Sequence, residues 1–197
     1  MATDPHGEPL RFLASFAYFR TRDMTEMRAS LSTGDTPAEV FADSGAHSAR
    51  TRGIDLSVAD YAAWCRRWDR DLVLYSNLDV IRAPAATYRN QQDLQERGLV
   101  PLPVFHTGEP WHWLQRYLDD GHTYIALGAL LKNPNAVLLP WLAKAFKMAE
   151  GRAVFHGFGS PWRPRSASSP STPSTPPPGR RPPGTASSNC STPPRAP

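Results

Sequence analysis

Cysteine is nearly missing from this 197-residue chain: there are two, Cys65 and Cys190, 125 positions apart. That excludes a disulfide framework and a Cys-rich zinc site, and it points to a reducing, cytoplasmic setting. No apolar run reaches the roughly 18–20 residues that span a bilayer. The first residues, with Asp4, Pro5 and His6, lack the basic and apolar regions of a signal peptide. The expectation is a soluble, unexported protein with no membrane partner. Also missing are a repeat of fixed period and a Gly-rich phosphate loop after any strand-like run, so no nucleotide cofactor is expected.

The charge is unevenly distributed. The last 38 residues, 160–197, hold 12 Pro, 9 Ser, 4 Thr and 5 Arg, but no Asp, Glu, Lys, Leu, Ile, Val or Phe. Such a segment has nothing to bury in a core and reads as a disordered tail. Residues 1–159 carry 17 Lys and Arg against 18 Asp and Glu, so the net charge of +4 belongs to the tail. Counting alone therefore shows no basic face on the body for nucleic acid.

Within the body, strand-like runs at 11–19, 40–42, 71–75, 100–105, 123–127 and 152–155 alternate with segments of helical spacing at 23–31, 57–70, 83–97, 110–119 and 135–150. Ser57 reads as an N-cap, and Gly98 and Gly151 as helix stops. Consecutive βα units predict an α/β fold with a parallel sheet. An eight-stranded barrel takes about 250 residues, so six strands predict either an open sheet or an incomplete barrel.

In such folds the chemistry gathers at the carboxyl ends of the strands. Polar residues stand there after five successive runs: Asp43, Ser44, Gly45 and His47; Asn77 and Asp79; His106 and Glu109; Gly128; and His156. Each has an ordinary reading as well. Asp43-Ser44-Gly45 makes a turn, Asp79 caps the segment before Pro84, and a histidine after a strand is commonly a hydrogen-bonded structural residue. Gly128 gives simple strand packing or lets a flat ligand approach the backbone. Trp64, Trp68, Trp111, Trp113 and Trp141 have core-like spacing. Arg66, Arg67 and Arg70, interleaved with Asp69 and Asp71, read as a solvated face, and Cys65 as buried.

The ordered set DSGAHSA, SNLDVI, ATYRNQ, PLPVFHTGE, YIALGAL and HGFG resembles the tRNA-guanine transglycosylase superfamily, in particular its phage and bacterial branch called DpdA. The likeness covers residues 12 to 159. It implies a (β/α)8 barrel of which about six βα units are present, and the exchange of guanine for a 7-deazaguanine base in DNA, tRNA being the less fitting substrate. It also implies Asp43 as the proton-transfer residue facing the base. Ser44, Gly45, Asp79, His106, Gly128 and His156 would bind the substrate, His106 standing near where the tRNA enzymes carry a Gln. No metal or cofactor is implied, since the zinc motif of the tRNA enzymes is absent.

The family's nucleophilic Asp lies beyond HGFG, where this chain has its Pro/Ser/Arg tail, so the resemblance implies a chain inactive in exchange. The tail reads as an out-of-frame text. Shifting the codons of Pro170–Gly179 permits PFYSVDSTSW, a family motif whose Asp falls where Thr175 stands, and the same frame permits RYG at residues 184–186. Two other readings stay open. One is a metal-dependent barrel hydrolase ligated by Asp43, His47, Asp79, His106 and His156. The other is a non-catalytic binding module with the tail as a basic arm.

Overall fold

The computed structural model describes residues 9–158. Gly159, the 160–197 tail with its out-of-frame reading, the boundary between body and tail, and Cys190 lie outside the described residues. The fold is mixed α/β with two parallel three-stranded sheets, ordered β1-β2-β3 and β4-β5-β6. The strands are β1 (Arg11–Ser15), β2 (Glu39–Asp43), β3 (Leu72–Tyr75), β4 (Val104–His106), β5 (Tyr124–Gly128) and β6 (Val154–Gly157). The helices are α1 (Phe16–Phe19), α2 (Met24–Leu31), α3 (Ala46–Arg52), α4 (Val58–Arg67), α5 (Pro84–Glu96), α6 (His112–Asp119) and α7 (Asn135–Ala149).

A single parallel bridge, Ser76 to Leu102, links the sheets. Leu102 N–H donates to the Tyr75 carbonyl and Asn77 N–H to the Leu102 carbonyl, each at 2.8 Å. Six parallel strands thus follow one another in chain order. Laid flat, β2 and β6 would stand about 19 Å apart at the usual strand spacing. Yet the Phe41 ring on β2 lies 4.9 Å from that of His156 on β6 and 5.4 Å from that of Phe158. The strands therefore curl, enclosing a small inner cluster of Leu102, Val104 and Ala126 with Phe41, Leu74, Tyr124 and Phe158.

Strand alternation sorts the side chains between this interior and the helices. On β5, Ile125 and Leu127 face an outer core with Leu114, Tyr117 and Leu118 of α6 and Ala145 and Ala149 of α7. Residues 114, 117 and 118 form the 3–4 spaced stripe that makes α6 amphipathic. On β2, Val40 and Ala42 face a second outer core containing Met24, Tyr61, Trp64, Cys65 and Trp68. Trp64, Trp68 and Cys65 are thus buried packing residues as expected, while Arg66, Arg67 and Arg70 are exposed. Burial pushes the Cys65 thiol up to about 12. The edge strands β1 and β6 each pair with one neighbour among the described residues, leaving Leu13 51% and Val154 65% exposed.

Several boundaries differ from the sequence reading. The 11–19 run is not one strand: it ends at Ser15 and Phe16–Phe19 form a helical turn. A continued strand would send Phe16 and Ala17 to opposite faces, but both are buried, and Phe16 packs on Tyr61 and Trp64 at 5.1 and 5.4 Å. β4 begins at Val104 rather than Val100 because Pro101 and Pro103 have no N–H for a ladder. β6 runs to Gly157, which puts His156 inside the strand. Helix α3, which the spacing does not predict, starts and stops at left-handed glycines, Gly45 (φ 73°) and Gly53 (φ 64°). Ser57 caps α4 as expected, its Oγ accepting from Asp60 N–H. Gly98 and Gly151 follow their helices with positive φ.

Candidate functional site

Register decides which polar residues meet. Ser15 aligns with Asp43 across β1 and β2, and His106 with Gly128 across β4 and β5. Alternation from Phe41, Val104 and Ala126 makes Asp43, His106 and Gly128 the last inward-facing positions of their strands. They form one layer at the carboxyl end. His156 aligns with Ala126, two residues lower. It hydrogen-bonds the Tyr124 hydroxyl at 3.2 Å and packs against Phe41 and Phe158. It shares no hydrogen bond or ion pair with the carboxylates, and burial lowers its basicity. The structure therefore gives His156 a packing position within the curl.

Asp79 enters the layer on the turn after β3. That turn is held from below and from the side. Ser76 N–H donates to the Ala42 carbonyl, Tyr61 Oη donates to the Ser76 carbonyl at 2.7 Å, and the Ser76 Oγ accepts from Ser44 N–H at 3.2 Å. From α5, Asn90 Nδ2 donates to the Leu78 carbonyl, Thr87 Oγ1 accepts from Val80 N–H, and the Thr87 carbonyl accepts from Asn77 Nδ2. The ATYRNQ segment is the scaffold of SNLDVI, a relation invisible in the order of motifs. Asp79 does not cap α5, whose N-cap position is Ala83. Its Oδ1 accepts from Ser44 Oγ at 2.8 Å, and its Oδ2 stands 3.2 Å from His106 Nε2.

The ordinary reading of Asp43-Ser44-Gly45 is also correct: Asp43 Oδ2 accepts from Gly45 N–H at 3.0 Å, closing a turn. Gly45 is required twice. Its φ of 73° disfavours a side chain, and a Cβ there would fall 2.7 Å from that of Ala17 and against Ser15 Oγ. Burial, then the neighbouring Asp79 charge, raises the Asp43 carboxyl to about 6, against the partial relief of backbone N–H bonds and His106.

His106 is gripped from two sides. Glu109, with its side chain 8% exposed, takes His106 Nδ1 at 3.1 Å through Oε1 and His106 backbone N–H at 3.0 Å through Oε2. Burial by itself disfavours the imidazolium. Hydrogen bonds and charge from Asp79 and Glu109 outweigh it and hold the ring at about 9. His106 is therefore a cation at neutral pH, flanked by carboxylates. Gly128 serves this ring: a Cβ at Gly128 would lie 2.7 Å from His106 Nε2. A flat group of the protein's own, the His106 imidazole, lies against Gly128.

Glu109, which the sequence sets beside His106 at the strand-end mouth, backs the layer through that ring. One residue of the layer escapes a reading of the sequence as a site member. Ser15, whose Oγ is buried with no hydrogen-bond partner, is hidden within an apolar run that continues to Phe19. His47 is exposed on α3 and takes no part. Among the described residues, no group of three or more His, Cys, Asp or Glu side chains is arranged to hold a metal ion. Asp79 and Glu109 are spent on His106, and Asp43 on the Gly45 N–H. Among those residues, too, no helix is long and apolar enough to cross a membrane. An open cleft of about 400 Å³ adjoins Asp79, lined by Ala46, Ala49 and Arg50 of α3 and by Leu78, Val80 and Ile81.

No protein-family model, curated protein or solved structure matches the chain. What the site can do chemically therefore rests on its own geometry.

Proposed function

We propose that this layer is the base-recognition site of a DpdA-like guanine transglycosylase acting on DNA, and that the six strands are an arc of a (β/α)8 barrel. The reading is supported by the order of the motifs, by six parallel strands curling in chain order, and by the meeting of the motif residues at one end. The observation that carries it is the convergence of Asp43 and Asp79 from neighbouring strand ends, with the first carboxyl raised to about 6. A guanine-type base presents ring N–H and exocyclic amino donors along one edge, which two carboxylates accept. A carboxyl titrating near 6 exchanges a proton readily close to neutral pH, as breaking or remaking a glycosidic bond to a purine requires. Both Asp79 oxygens are engaged by Ser44 and His106. Base binding thus trades partners, and the released imidazolium N–H turns to the base carbonyl.

The sequence holds no Asp or Glu after Glu150. In this reading the chain binds the base but does not complete exchange, because a covalent intermediate needs a nucleophile. The test is calorimetric titration of the full chain with guanine, 7-deazaguanine and adenine. The first two bind, adenine does not, and Asp79→Asn weakens binding by roughly tenfold or more, the worth of a hydrogen bond to a charged group. Equal binding of adenine, or an unaffected Asp79→Asn, overturns the base-site reading. Incorporation of labelled deazaguanine into DNA by this chain overturns the absence of exchange.

A further inference from the structure

The body carries a net charge of −1 by count, 17 Lys and Arg against 18 Asp and Glu, yet its two ends are not alike. At the amino ends of the strands, exposed Arg66, Arg67 and Arg70 alternate with acids such as Asp69, Asp93 and Glu96. At the carboxyl end, the segments following β1, β2 and β3 expose Arg20, Arg22, Arg50, Arg52 and Arg82, against Asp23, Glu26, Asp55 and Asp60. Asp23 is occupied as the N-cap of α2. The three acids of the site, Asp43, Asp79 and Glu109, are turned inward on His106 and on backbone N–H groups. None of the five arginines is in an ion pair among the described residues.

These arginines follow three neighbouring strands at the same end of the sheet. α1 and α3 touch where the Arg52 guanidinium lies 4.7 Å over the half-exposed Tyr18 ring. Arg50 and the turn preceding Arg82 line the same cleft, which ends on Asp79. Arg82 has a left-handed backbone (φ 62°) and an exposed side chain. Guanidiniums without an ion pair among the described residues, beside half-buried carboxylates turned inward, fit a polyanion whose charge must stay outside while a neutral group enters. Guanidinium also matches phosphate geometry.

We propose that the phosphate backbone of DNA docks on the rim formed by Arg50, Arg52 and Arg82, with Arg20 and Arg22 extending it. The identity of the polyanion as DNA rests on the function proposed above; the phosphate-binding rim rests on the arginines. The rim places docking on the β1–β3 half of the mouth, where the five arginines stand.

The experiment measures binding of a duplex DNA oligonucleotide to the full chain by fluorescence anisotropy over a range of salt. Two triple variants are compared: Arg50→Gln, Arg52→Gln, Arg82→Gln at the rim, and Arg66→Gln, Arg67→Gln, Arg70→Gln at the far end. The five tail arginines stay in every variant, so their share of the salt dependence cancels. Removing one arginine–phosphate pairing lowers the slope of log K against log salt by about 1, so the rim triple reduces it by about 3 and the far-end triple leaves it unchanged. Equal reductions in both triples overturn the proposal. So does tighter binding of an RNA of the same sequence, or displacement of DNA by polyglutamate at matched charge, which would assign the rim to an acidic protein. Guanine binding is measured on the same variants. A rim triple that no longer binds DNA, while no variant binds guanine, supports the rim and sinks the base reading. Intact guanine binding with no difference between the triples does the reverse.

Discussion

The two sheets are built alike and equipped differently. Each has three parallel strands, helices packed on its outer side and an aromatic cluster beneath, Tyr61 and Trp64 in the first and Phe105 with Trp141 in the second. At the carboxyl end the first contributes acids, Asp43 and Asp79, on turns braced by backbone hydrogen bonds. The second contributes the cation His106, with Glu109 behind it and Gly128 beneath. The two carboxylates of the first set repel each other, and the imidazolium of the second stands between one carboxylate from each sheet, Asp79 and Glu109. The difference teaches that the cluster is an electrostatic joint between the two sheets as well as a candidate site, and that its titration reports on how the sheets meet.

The largest expected effect lies in the first sheet. Gly45→Ala combines a left-handed alanine, about 1–2 kcal/mol, with overpacking against Ala17, about 1–3 kcal/mol, for a loss of about 2–5 kcal/mol in urea unfolding. A loss under about 1 kcal/mol would mean that this turn is not rigid.

Next comes pH. The His106 ring is raised from 6.5 to about 9 in the folded chain, so its stabilisation is complete below pH 6.5 and is lost as pH rises through 9. That difference is on the order of 3 kcal/mol. Asp43, raised from 3.8 to about 6, acts in the same direction at lower pH: stability falls as pH rises through 6. Glu109→Gln brings the His106 loss to lower pH and shrinks it. Urea midpoints at about pH 3.5, 6.5 and 9.5, spanning both transitions, check this, and a flat profile would mean that the joint is not electrostatic.

Gly128→Ala, in the second sheet, carries no φ penalty and displaces one ring, so about 1–3 kcal/mol is expected, together with a fall in the His106 NMR titration midpoint. A loss equal to that of Gly45→Ala would erase the contrast between the sheets. The smallest effect is that of Tyr61→Phe, which removes the bond to the Ser76 carbonyl and costs about 1 kcal/mol. Amide exchange at Ser76 and Asn77 should speed up while that at Ala126 and Leu127 stays as it was. Uniform acceleration would show that the sheets unfold as one.

Much of the architecture is legible in the sequence because periodicity is a local property. Alternation and 3–4 spacing locate all six strands and five of the seven helices, and the Ser57 cap and the Gly98 and Gly151 stops need only nearest neighbours. The places that differ are those where distant contacts prevail. α1 exists because Phe16 and Ala17 are both buried by residues far along the chain. α3 is hidden by its start at a left-handed glycine and by a charged face with no apolar stripe. β4 shrinks to the residues beyond its prolines.

Local sequence carries the inventory: α/β units, polar residues at strand ends, and a Pro/Ser/Arg segment without aliphatics. Each follows from side-chain chemistry and local backbone preference. Only the tertiary structure decided which of those polar residues share a layer, because register and curl are set by packing between strands far apart in the chain. His106 and Gly128 are one step above His156 for that reason alone. The arginine rim is the same lesson in charge. A count over residues 1–159 is blind to which end of the sheet each charge occupies, and to the inward turn of Asp43, Asp79 and Glu109 while the five arginines face the solvent.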